Sequence, residues 1–285
     1  MTSGTTCTID GRPHHVQPKD CHSSFDPVMN TICTTSLENP ILHIEKNIAL
    51  YQGGNVVDLH NMQITHMVDE ACSRIKHHKQ TLYSYSTRLV HNMNTGEQFS
   101  FVTRVIDLCS IASSMVIVTE ISVFCYGGDI AEETQQHLAI PQKITRATNF
   151  GLYIILGCEF GSIFVVSANP WEFSESETPH TGQILSISTF AKRMVMADDH
   201  ELISLWTMDE LGPTCTQTYK CMVSSVVQCR HVYILFEVEN YISVWDNDTC
   251  KCVVGWQDKA ATDVWRATSS SIYVCTKDLV TEHTL

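Results

Sequence analysis

The nearest approach to a metal site in this chain is Cys250-Lys-Cys252, because alternate residues of a strand carry both thiols on one face. A structural zinc site needs two such short-spaced pairs. The sequence holds no C-x-x-C, and no second pair answers this one. Cys21-His22 and His14-His15 are the other neighbouring donors. His200-Glu-Leu-Ile lacks the second His that a helical zinc site requires. Nucleophilic catalysis would need a Ser or Cys beside a positioned base, and no G-x-S-x-G occurs. The paired carboxylates Asp198-Asp199 sit where a β-turn is expected, a place that favours Asp on backbone grounds. No glycine pattern for cradling phosphate is present. The chemistry-bearing residues therefore assign no catalytic, cofactor-binding or metal-ligating role. The expectation is a protein that is not an enzyme and carries no cofactor.

The elements that must position these residues are short strands in repeated units. The clearest unit is Glu239-Asn-Tyr-Ile-Ser-Val-Trp-Asp-Asn-Asp-Thr-Cys-Lys-Cys-Val253, a strand, a polar turn and a second strand. Anchored on Trp245, further copies place Leu59, His91, Phe124, Val166, Trp206 and His283 in the same slot, at spacings of 32, 33, 42, 40, 39 and 38 residues. A period near forty built from strands is the signature of a propeller with one four-stranded blade per repeat. Ahead of each anchor runs a short apolar stretch, such as Met115-Val-Ile-Val118, Leu152-Tyr-Ile-Ile-Leu156 or Tyr233-Ile-Leu-Phe236. These read as strands buried on both faces. More mixed segments before them, such as Val105–Cys109, Ile184–Ser188, Val223–Gln228 and Asp263–Ala267, suit the second strand of a blade. The fold class expected is all-β, a β-propeller of seven blades with four antiparallel strands each.

On Tyr241-Ile-Ser-Val-Trp-Asp246 and Leu205-Trp206, the chain resembles the WD-repeat propellers over roughly residues 31 to 285. The other repeats have lost the Trp, and Pro179-His180-Thr-Gly182 is only a loose echo of the family's Gly-His pair. The resemblance therefore implies that the hydrogen-bonded tetrad using that His is missing from most blades. It also implies an interaction scaffold.

Composition narrows the field further. A net charge of −13 and a pI near 5.4 disfavour nucleic acid, whose binding depends on neutralising phosphate. Arg74-Ile-Lys-His-His-Lys79 reads as a solvated blade edge. Acidic residues gather at Glu172, Glu175 and Glu177, at Asp198, Asp199 and Glu201, and at Glu237, Glu239, Asp246 and Asp248, where a basic partner could meet them. No run approaches the roughly twenty apolar residues that span a bilayer, so no membrane partner is expected. The N-terminus lacks the charged start and apolar centre of a secretory signal, and the odd count of thirteen cysteines then implies reduced thiols in cytoplasm or nucleus. Residues 1–30, with Gly11, Pro13, Pro18 and Pro27, read as a flexible or extended arm, and 31–285 as a single propeller. Residues 5–10 could add an outer strand to the last blade.

Of the five tryptophans, Trp206 and Trp245 are expected in the core, Trp265 in a second strand, and Trp256 in the first strand of the last blade near the central channel. Trp171 differs, since it falls with Glu172 and Phe173 in an apparent inter-blade insertion from Ala168 to Thr181. Trp171, Glu172 and Phe173 are therefore the candidate partner-binding residues. The expected function is a non-catalytic scaffold or adaptor of an intracellular complex, binding other proteins through its loops, with no small-molecule substrate. Two alternatives are a substrate-recognition propeller of a ubiquitin ligase and a propeller hydrolase or lyase with its site at the channel mouth. Phosphoinositide binding is disfavoured because no two arginines are adjacent.

Overall fold

The computed structural model describes residues 41–111, 113–126, 136–209, 212–266, 268–276 and 280–285, and the backbone alone of Thr5–Ile9, Arg12–Val16, Val28–Ile32 and Gln135. It is all-β, and its single helical piece among those residues is a 3₁₀ turn at Val238–Asn240. The strands form seven antiparallel four-stranded blades, the fold of a β-propeller. The chain divides into two compact units: residues 1–27 with 142–260, and residues 28–141 with 261–285.

The first unit holds three blades. Blade 4 is Ile144–Phe150, Tyr153–Cys158, Ile163–Ala168 and Trp171–Ser176. Blade 5 is Ile184–Phe190, Arg193–Asp198, Leu202–Asp209 and Gly212–Lys220. Blade 6 is Val223–Cys229, Val232–Glu237, Tyr241–Asp246 and Cys252–Gln257. The hairpin Thr5–Ile9 and Arg12–Val16 extends blade 5, pairing Thr6 with Lys220 and Cys7 with Tyr219.

The second unit holds four. Blade 1 is Ile41–Glu45, Ile48–Tyr51, Asn55–Asp58 and Gln63–Met67. Blade 2 is Arg74–His78, Thr81–Tyr85, Leu89–Asn92 and Gln98–Ser100. Blade 3 is Val105–Ile111, Ser114–Thr119, Ser122–Tyr126 and Gln135–Ala139. Blade 7 is Ala261–Arg266, Ser271–Thr276 and Val280–Thr284, completed by Val28–Ile32. The last blade is thus closed by residues 28–32 and not by residues 5–10, which join blade 5 instead. Residues 28–32 carry the β-branched Val28, Thr31 and Ile32, which suit a strand.

Six of the seven anchors lie in third strands, and Leu59 follows one directly. The apolar runs are the second strands, buried along most of their length. They are buried because blades pack face to face. Val195, Leu205 and Tyr219 of blade 5 meet Val226, Tyr233 and Trp245 of blade 6. Phe150 and Ile155 of blade 4 meet Met196 and Trp206 of blade 5. In the second unit, Ile44 and Tyr51 of blade 1 meet Tyr273 and Cys275 of blade 7.

The mixed segments are first strands, one position earlier in the sheet than expected. They look mixed because a β-bulge shifts register near the start of the first strand in six blades, all except blade 2. In three of them a hydroxyl at the bulge donates to a second-strand carbonyl: Thr145 to Gly157, Ser224 to Phe236 and Thr262 to Cys275. The hydroxyl engages a carbonyl beside the place where the bulge interrupts the ladder.

Candidate interaction surface

Trp171, Glu172 and Phe173 are not in an insertion. They open the fourth strand of blade 4, where Val166 pairs with Phe173 and Ala168 with Trp171. Strand alternation puts Trp171 and Phe173 on one face and the exposed Glu172 on the other. Phe173 packs edge-on against Phe164 with ring centroids 5.5 Å apart. Trp171 is half-buried, and its indole N–H is buried without an acceptor among the described residues. The segment reads as a loop in the sequence because glutamates and serines alternate with its aromatics, which is also the pattern of an edge strand. Trp265 lies in a first strand, and Trp256 in the fourth strand of blade 6, half-buried instead of core. Trp206 and Trp245 are core, as expected.

The loose echo at His180 is in fact part of an intact tetrad. His180 Nδ1 lies 2.9 Å from Asp198 Oδ2, and its Nε2 lies 2.5 Å from Ser204 Oγ. The Trp206 indole N–H donates to the same Ser204 oxygen at 2.6 Å. A carboxylate can only accept, so Nδ1 carries the proton and Ser204 donates to Nε2. Asp198 Oδ1 also accepts from the His200 and Leu202 backbone N–H groups. Burial works against the Asp198 charge, but these donors outweigh it and hold the carboxyl below its usual range. Asp198 is therefore a buried structural acid, not a solvated turn residue. In blade 6, Trp245 donates to Ser243 at 2.8 Å, and Ser243 bonds Glu237 in place of a His-Asp pair. Burial pushes the Glu237 carboxyl up, partly countered by Ser243 and Cys221.

The basic stretch in the second unit is likewise no solvated edge. Arg74 and Lys76 lie half-buried on the first strand of blade 2. Arg74 donates to the Ile106 carbonyl at 3.0 Å, and Lys76 sits 3.7 Å from Glu45. Asp107 accepts from Tyr85 at 2.7 Å. Burial works against the Lys76 charge, but Asp107 and Glu45 outweigh it and raise the ammonium above its ordinary value. Adjacent His43 is buried against Trp265. Burial and then the Arg74 and Lys76 charges hold its pKa well below the ordinary value.

No three His, Cys, Asp or Glu side chains converge on a metal-sized site among the described residues. Cys250 and Cys252 do not act as a pair. The Cys250 thiol meets Gln217, whereas Cys252 is disulfide-bonded, which departs from the expectation that every thiol is reduced. Cys21, His22 and the side chains of His14 and His15 lie outside the described residues, as does much of the expected arm.

What the first unit does present is a row of exposed apolar turn tips. Its three first strands run side by side in one direction, linked by Thr145 to Ile184, Thr189 to Asn149, Val226 to Ser186 and Gln228 to Ser188. The second-to-third turns and the connections entering each blade therefore share one end. There Phe160 is 71% exposed, Met222 48% and Val238 50%. These turns touch in sequence along the blades. Gly161, at φ 81°, lies so close to the His180 carbonyl that a Cβ there would collide with it. Thr181 Oγ1 lies 3.1 Å from His200 Nδ1. Cys221 N–H donates to Glu201 O at 2.8 Å, and Val238 N–H to Met222 O at 3.2 Å. A continuous ribbon results, running from Phe160 to Val238. Sequence reasoning missed it because its members lie in five separate segments.

Comparison with known proteins supports the fold alone. No known protein family and no curated protein sequence matches the chain. Similar solved structures include BBS1N in complex with ARL6DN, with a TM-score of 0.68 and 12% identity, covering 92% of this chain and 96% of that one. The Myceliophteria thermophila Cps50 (Swd1) β-propeller domain has a TM-score of 0.68 and 11% identity, covering 90% of this chain and 100% of that one. The Neurospora crassa Pan2 WD40 domain has a TM-score of 0.68 and 9% identity, covering 90% and 95%. The chain thus has the architecture of WD40 propellers, while its sequence shares little with them.

Proposed function

We propose that this protein is a non-catalytic interaction scaffold, a rigid propeller that holds protein partners on its turns and blade edges within a cytoplasmic or nuclear complex. The observation that carries this is the set of large apolar side chains left exposed on turns and blade connections, among them Phe160 at 71%, Val238 at 50% and Met222 at 48%. Large apolar side chains left exposed along one end of a closely packed unit point to an association site. A similar structure whose description names a second protein, BBS1N in complex with ARL6DN, is in keeping with this use of the fold. The edge strand with Trp171, Glu172 and Phe173 is the second surface in this proposal, since half-buried aromatics on an open edge can anchor a partner.

The test is affinity purification of the tagged full chain with identification of co-purifying proteins, repeated with Phe160→Ser/Val238→Ser and with Trp171→Ala/Phe173→Ala. At least one specific protein should be lost with one variant while circular dichroism stays that of a β protein. Recovery of an identical set with both variants, or of nothing beyond a tag-only control, would overturn the assignment.

A further inference from the structure

We infer that the ribbon from Phe160 to Val238 binds an extended protein segment with a lysine- or arginine-rich centre flanked by apolar residues. This rests on the scaffold function proposed above and specifies its partner. Two observations carry it together. The first is the apolar ends of the ribbon: Phe160 on blade 4, and the adjoining Met222 and Val238 at blade 6, joined by the Val238 N–H to Met222 carbonyl bond. The second is the charge between and beside them. Asp199 and Glu201 stand exposed on the middle turn, with Glu239 beside Val238 and Glu159 beside Phe160.

No lysine or arginine occurs in the segments that form the ribbon. Lys143 flanks it, already 3.9 Å from Glu159, and Lys220 and Lys259 are the further flanking cations, the latter next to Asp258 and bonded through its carbonyl to Asn240. His200, hydrogen-bonded to Thr181, is the one further titratable group on the middle turn. At the opposite end of the same three blades the charges come close to balance. Lys192, Arg193, Arg230 and Lys251 stand there against Asp209, Asp246 and Asp248, and Arg193 is within 2.7 Å of Asp248. The acidity of this unit is therefore concentrated at the end that carries Phe160, Met222 and Val238.

Apolar anchors give affinity when buried by a partner, and the acidic centre selects its charge and speeds encounter. The backbone under the ribbon is held by the inter-turn hydrogen bonds and by the buried His180-Asp198 pair, so little ordering cost falls on the protein's side.

The experiment is selection from a phage-displayed random peptide library on the immobilised full chain, followed by fluorescence-polarisation titration of the enriched peptides. Enriched peptides should carry net positive charge with aromatic or aliphatic residues on both sides of it. Their affinity should fall about tenfold or more for Asp199→Lys/Glu201→Lys, about fivefold for Phe160→Ser, and steeply with added salt. Lys192→Glu/Arg230→Glu, at the opposite end, should change nothing. Neutral or acidic peptides, full binding by Asp199→Lys/Glu201→Lys, or no enrichment over bare support would each overturn the inference. Peptides that bind that variant unchanged would leave the scaffold function standing with another surface. Self-association abolished by Lys192→Glu/Arg230→Glu would instead make a second copy of this chain the occupant.

Discussion

Ser204→Ala separates architecture from surface most sharply. Ser204 is fully buried, and its hydroxyl both donates to His180 and accepts from Trp206. Alanine keeps the shape of the site but leaves the indole N–H without an acceptor and His180 Nε2 without a donor. Each buried polar group so orphaned costs about 1–3 kcal/mol, which puts the substitution at about 3 kcal/mol after local relaxation. At about 2–4 °C per kcal/mol for a protein near this size, the melting midpoint should fall by about 6–12 °C. The partner substitution Trp206→Phe removes the indole donor. The double variant should therefore cost about 1 kcal/mol less than the sum of the singles, as expected for residues in one network. Ser243→Ala in blade 6 is the internal comparison. It orphans the Trp245 indole, but its other partner, Glu237, is only half-buried and can take up water. That variant should lose about 1–2 kcal/mol. Thermal unfolding followed by circular dichroism measures all four. A Ser204→Ala midpoint within about 1 °C of the parent, or a loss no larger than that of Ser243→Ala, would refute the tetrad as a stabilising network.

Three further outcomes are expected. His43 resists in the folded state the proton that the unfolded chain accepts near its ordinary pKa of about 6.5. Stability should therefore be full above that pH and fall as pH drops, by up to about 1.4 kcal/mol per unit; chemical denaturation across pH should show His43→Gln removing that part of the slope. Gly161→Ala places a Cβ against the His180 carbonyl at a left-handed φ and should destabilise by about 1–3 kcal/mol in urea titrations, with a loss below about 0.5 kcal/mol counting against the close approach. Trp171→Ala/Phe173→Ala should lower the melting midpoint by several degrees as well as alter partner recovery, because Phe173 packs on Phe164; an unchanged midpoint would mean that this strand is not packed as described.

The repeat was legible because its parts are local. An apolar run, a tight turn and a second run, as in Tyr233–Val253, declare a hairpin without reference to the rest of the chain. Seven such hairpins at a near-constant spacing declare the blade number. The edge character of Trp171–Ser176 was not legible, since an edge strand carries as many polar residues as a loop. Nor was the burial of Arg74 and Lys76, because the carboxylates that pair with them, Glu45 and Asp107, come from the first strands of two other blades.

The sequence by itself determined the all-β class, the repeating unit, its seven copies and the core roles of Trp206 and Trp245. Only the tertiary structure decided which polar residues are architecture and which are surface. Asp198 and Ser204 lie 18 and 24 residues beyond His180 and share one buried network with it, whereas Asp199 and Glu201, beside Asp198 in the chain, point to solvent. The closure of blade 7 by Val28–Ile32 was settled in the same way, by pairing with Val280–Thr284 at the far end of the chain. The physical reason is common to both. Strand formation follows from neighbouring residues, but the pairing of a buried charge or an open edge depends on groups that folding brings from distant segments.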